Sequence, residues 1–177
     1  MHNFLPQTLC TFYLVFFAPV CYYYIQKGAI QMMRFKVDAV ENVNAGVARE
    51  WALCRYYGIE RKAHDHTPYD KGSDIETNGL NISVKASRFS LMAGTLCEGR
   101  DTIESIWALY AERVHSNRFA YVTKDFTVYL MTLDEFGAFV HRFCTIEHES
   151  TRNGGRAKVK CRHESKAMLE WLAAKAA

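Results

Sequence analysis

The dipeptide Asn78-Gly79, set between two arms of alternating polar and apolar residues, restricts this chain more than any other feature. A type I′ turn needs positive φ at both central positions, which asparagine and glycine tolerate, so the segment reads as a two-residue β-hairpin. Its arms are residues 73–77 and 80–87. Counting outward from the turn pairs Thr77 with Leu80, Glu76 with Asn81, Ile75 with Ile82, Asp74 with Ser83, and Gly72 with Lys85. Side chains alternate along a strand, so Ile75, Leu80, Ile82 and Val84 share one face and Asp74, Glu76, Asn81, Ser83 and Lys85 share the other. The first is a core face. The second gathers two carboxylates, a hydroxyl and an ammonium, the parts needed to hold a hard divalent cation through oxygen ligands and to activate a water beside it. A solvent-facing strand pair with an exposed ion pair is the plainer reading of the same pattern.

Helices and strands alternate through the rest of the chain. Asn42 or Asn44 caps a helix through AGVAREWALCRYYG, with Val47, Trp51 and Cys54 on one stripe and Gly58 as its stop. A short extended piece, 59–63, leads into a polar loop containing Pro68 and Gly72. Asp101 or Thr102 caps a helix through IESIWALYAERVHS, and two β-rich arms, 118–122 and 127–131, flank a turn at Lys124-Asp125. Thr132 caps a third helix, a basic strand follows at 157–162, and 165–176 closes the chain as an amphipathic helix. This order predicts an α/β fold with a mixed central sheet flanked by helices. With 177 residues, 49% of them apolar, the chain has material for one core and is short for two domains. The six cysteines form no C-x-x-C pair, which argues against a zinc site or a disulfide scaffold and fits a reducing, cytoplasmic setting.

Residues 1–32 differ from everything after them. They hold one charged residue, Lys27, and 8–25 is an almost wholly apolar run rich in aromatic residues. Such a run is just long enough to span a bilayer, although Pro19 interrupts it and Tyr22, Tyr23 and Tyr24 suit an interface better. It lacks the basic flank and small-residue cleavage site of a secretory signal. Two expectations stand: a membrane anchor at 8–25, or an upstream start mis-assigned ahead of a domain at 33–177.

A helix carrying Glu50, then Asp74 at the start of one strand, Ser83-Val84-Lys85 on the next, and then a helix: this order resembles the PD-(D/E)xK nuclease superfamily, the restriction-endonuclease-like fold. The likeness spans residues 44–131. It implies a Mg²⁺-dependent DNA endonuclease of restriction or phage type, with Mn²⁺ able to substitute and a homodimer to cut both strands. It also implies that Asp74 binds the metal, that Val84 offers its backbone carbonyl, and that Lys85 orients or polarises the attacking water. Glu50 matches the glutamate that many members place on the helix before the sheet. Two positions depart: Ser73 replaces proline, and Ser83 replaces the acid of the D/E-x-K tripeptide. A hydroxyl is a far weaker ligand than a carboxylate, so a second acid is needed. Glu50 ranks first and Glu76, closest by hairpin register, second; Glu98 and Glu104 are further sources. Without any of them the chain is an inactive nucleic-acid-binding or interaction protein of the same fold.

Residues 152–166 hold six lysines and arginines against one acid. Arg156, Lys158, Lys160 and Arg162 alternate, so a strand here lines one face with cations, a candidate DNA-phosphate stripe or a charged edge that resists aggregation. Arg88, with Ser87 and Arg100, flanks the hairpin and joins the candidate DNA contacts. His64, Asp65 and His66 lack a third spaced ligand and read as a polar loop. Cys97 and His115 carry no nucleophile signature.

Overall fold

In the computed structural model, which describes residues 31–40, 44–60, 74–91, 101–151 and 154–177, the strands fall into two sheets. In chain order the elements are strand β1 (Met33–Lys36), helix α1 (Ala45–Tyr56), strands β2 (Ile75–Thr77), β3 (Leu80–Ala86) and β4 (Phe89–Leu91), and helix α2 (Ile103–Arg113). Strands β5 (Arg118–Val122) and β6 (Thr127–Met131), helix α3 (Leu133–Phe143), strands β7 (Thr145–Thr151) and β8 (Gly154–Cys161), and helix α4 (Lys166–Lys175) complete it. The larger sheet has the order β1-β6-β5-β3-β2 and the smaller β4-β8-β7. Among the described strands only β3 and β5 pair in parallel, joined through β4 and α2, so the larger sheet is mixed. Residues 31–177 form one compact unit.

The hairpin forms as its turn dictates. Asn78 and Gly79 have φ of 47° and 79°, and the observed pairs are Ile75 with Ile82, Glu76 with Asn81 and Thr77 with Leu80. Asn117 steadies the tip, its amide nitrogen donating to the Gly79 carbonyl and its oxygen accepting from the Asn81 N–H, both at 3.0 Å.

Paired residues in neighbouring strands point to the same side, so the β3–β5 register fixes what each hairpin face meets. Ser83 lies beside Phe119 and Lys85 beside Tyr121. Phe119, Tyr121 and Met131 belong to an aromatic cluster with Ile106 of α2, Phe136 and Phe139 of α3, and Val159 and Cys161 of β8. Phe119 and Phe136 stack with centroids 4.5 Å apart. The other side carries Ile82, Ala120, Val128 and Leu130, all buried. Helix α1 packs on β3, and its buried Ala52 and Leu53 lie outside the aromatic cluster, which places α1 over this second side. The sheet is therefore covered on both sides, and the polar face of the hairpin is not a solvent face at Ser83, which is fully buried.

Local signals place the helices. Asn44, Thr102, Thr132 and Ser165 each accept a first-turn N–H through the side chain, and Thr132 with Glu135 forms a reciprocal capping box. Three strands go beyond the sequence expectation: β1, β4 and β7. Strand β8 also starts earlier than expected, at Gly154. Ile59 and Glu60 are not in a strand, and the rest of the expected piece 59–63 lies outside the described residues, as does the apolar run 8–25. Among the described residues no helix is long and apolar enough to cross a membrane.

Candidate functional site

Asp74 stands directly before β2, at the point where that strand leaves its partner. Its N–H still donates to the Ile82 carbonyl at 2.9 Å. Its carboxylate Oδ2 accepts from the Val84 N–H at 2.5 Å and from the Ser83 hydroxyl at 3.4 Å. The N–H and C=O of one strand residue leave on the same edge. Val84 lies past the end of β2, so the Asp74 carboxylate takes the place of the missing backbone partner, and the Val84 carbonyl leaves β3 on that same edge. Ser83 holds the position where the sequence pattern asks for an acid. It serves instead as a long donor to the carboxylate, and the short bond there is the one from the Val84 N–H.

Lys85 is half-buried one residue beyond Val84, on the side shared with Ser83 and beside Tyr121. The Tyr121 hydroxyl donates to the Met168 sulfur at 3.4 Å, and burial pushes that phenol far above its ordinary range, so it is a neutral neighbour.

The described candidate second acids stand on three different elements, β2, α1 and α2. Glu76 is exposed near the hairpin tip. Glu50 is buried on α1, the helix that packs on β3. Glu104 opens α2 and lies 3.5 Å from His141 Nδ1 on α3. Glu98, Cys97, Arg100, His64, Asp65 and His66 lie outside the described residues. Among the described residues no three His, Cys, Asp or Glu side chains are grouped to hold a metal ion. The donor chemistry at Asp74 and Val84 still fits a hard divalent cation, a carboxylate and a carbonyl oxygen on one edge.

The basic strand β8 alternates as its sequence requires. Ala157, Val159 and Cys161 are buried in the aromatic cluster, and Lys158 and Lys160 face the other way, with Arg162 continuing their line. The Arg156 side chain is outside the described residues. The β7–β8 register sets Glu147 opposite Lys158, and its carboxylate lies 2.5 Å from Lys160 Nζ and 3.9 Å from Arg162. Glu147 escaped the sequence reading because its strand did. The available signal was the run Thr145, Glu147, Glu149, alternating polar residues that complement the cations across the register. Arg88, Ser90, Glu147, Lys160 and Arg162 line an open hollow of about 370 Å³. No protein-family model, curated protein or solved structure matches this chain.

Proposed function

We propose that this chain is a metal-dependent DNA endonuclease of the restriction-endonuclease-like fold, in which Asp74 and the Val84 carbonyl hold a Mg²⁺ ion, with Mn²⁺ able to substitute. The single observation that carries this is the docking of the Asp74 carboxylate on the β3 edge at Ser83 and Val84, with Lys85 the next residue of that strand. The order α1, Asp74, β2, β3, α2, β5 supports the fold assignment.

When bound, the cation lowers the pKa of a coordinated water and neutralises charge on the scissile phosphate. The chain's own groups do the positioning. Ser83 Oγ and the Val84 N–H fix the carboxylate that faces the edge. Lys85 orients the attacking water and places positive charge where the phosphorane builds up negative charge. Glu50, on the helix packed against β3, ranks first as the second carboxylate and Glu76 second, and two copies act together to cut both strands. A non-catalytic nucleic-acid-binding role is the second reading, favoured by Ser83 serving as a donor in the acid's position.

Full-length chain incubated with supercoiled plasmid and Mg²⁺ is expected to cut, and EDTA to stop it. Lys85→Ala is expected to lower the rate about a hundredfold or more while duplex binding in EDTA is unchanged. Undiminished cutting by that variant overturns the role of the lysine, and no cutting by the parent chain with either cation favours the second reading. Glu50→Gln and Glu76→Gln, made separately, identify the second acid.

A further inference from the structure

We infer that the hollow on the smaller sheet binds a backbone phosphate of the same DNA strand that reaches Lys85, and that Glu147 is a resident carboxylate the phosphate displaces. The identity of the strand rests on the nuclease proposal; the anion preference rests on the hollow alone. Three cations, Arg88, Lys160 and Arg162, line it with one carboxylate, Glu147, which Lys160 and Arg162 both approach. That carboxylate sits deeper than the cations it meets: the Glu147 side chain is 30% exposed against 38% for Lys160 and 60% for Arg162. It holds Lys160 at 2.5 Å, whereas Arg162 at 3.9 Å is beyond hydrogen-bond reach of it. Glu147 therefore leaves the guanidinium fork unused, and a tetrahedral phosphate offers the paired oxygens that such a fork takes. Ser90, beside Lys160 in the β4–β8 register, adds a hydroxyl donor.

The placement matches a continuous strand. Arg88 follows Lys85 by three residues, and an extended chain advances about 3.3–3.6 Å per residue, so their backbones are at most about 11 Å apart. Successive phosphates advance about 3.4 Å along a duplex axis. The hollow is thus close enough to Lys85 for both to meet phosphates of one DNA strand.

The test is binding of a fluorescent DNA duplex by full-length chain in EDTA, across a salt series, where no cutting occurs. Glu147→Gln is expected to tighten binding about fivefold by removing the competing carboxylate. Glu170→Gln, which makes the same charge change on α4, is expected to leave it nearly unaltered. The double variant Lys160→Met with Arg162→Met is expected to weaken binding about tenfold and flatten the logarithmic salt dependence by about one. No gain with Glu147→Gln, an equal gain with Glu170→Gln, or no duplex binding by the parent chain overturns the inference. Because these readouts need no cleavage, they stand or fall apart from the plasmid assay: binding as expected without cutting removes only the nuclease proposal, and cutting with no Glu147 effect removes only this subsite.

Discussion

At the scale of single residues, the turn after β5 sets two carboxyls in opposite senses. Asp125 accepts from the Thr123 hydroxyl at 2.5 Å and the Thr127 hydroxyl at 3.0 Å, and Thr123 above all, with Thr127 and Lys36, holds its carboxyl below the ordinary aspartate value of 3.8. A carboxyl depressed in the folded chain contributes stability above its unfolded value, and that contribution is lost as pH falls through the folded one. Asp125→Asn is therefore expected to lower the thermal midpoint at pH 7, with the difference fading below about pH 3.8. Asp125 is largely exposed, so the effect is modest, under about 1 kcal/mol. Melts of both chains from acid to neutral pH check this. Glu164 runs the other way: burial raises its carboxyl even though it accepts from the Lys124 N–H at 2.8 Å, so its ionisation costs stability as pH rises above 4.5. Much at this scale was legible in the sequence. The Thr132 cap, the Asn78-Gly79 register and two of the other caps to within a pair of candidates follow from spacings of a few residues, and the structure takes Asn44 over Asn42 and Thr102 over Asp101. The Val84 amide docking on Asp74 was not, because it depends on where β2 stops.

At the scale of elements, the contact between α2 and α3 turns on a glycine. A Cβ at Gly137 would stand 2.9 Å from Cε2 and Cζ2 of the Trp107 ring. That ring is boxed by Tyr110, Phe136 and His141, so it cannot swing away cheaply. Alanine is the better helix former, yet Gly137→Ala is expected to destabilise the chain by about 1–3 kcal/mol through overpacking. A urea midpoint shifted down, with far-ultraviolet dichroism preserved, checks this. Elements with a local hydrophobic period, the helices and strands β5 and β6, were readable from the sequence. Strands β1, β4 and β7 were not. MRFK forms a strand because β6 offers it an edge, and TIEHEST has little apolar content of its own and is ordered by pairing with β8 along its whole length. Such pairing arises between distant segments and leaves only a faint period in either one.

At the scale of the whole molecule, the folded unit begins earlier than the strand pattern indicates. Met32 is 2% exposed within the aromatic cluster, so a fragment starting at Arg34 loses a core side chain that one starting at Gln31 keeps. Burying a methionine is worth about 1.5–3 kcal/mol, and the Arg34 fragment is expected to melt several degrees lower than the Gln31 fragment. Calorimetry on the two fragments decides it. The mixed sheet was legible in outline, since alternating helices and strands leave few ways to bury both sides of a parallel pair. The second sheet was not, because each of its strands is short or polar taken alone.

Ser87 and Arg88 are all that separates β3 from β4, so one stretch of backbone threads both sheets. That continuity works as a rail. Lys85 and Arg88 ride on it together, and the separation of their Cα atoms is bounded by chain length rather than set by a balance of weak contacts. Substitutions that loosen the smaller sheet would be felt at the lysine through this short link, and lengthening the chain at its midpoint would uncouple the two positions.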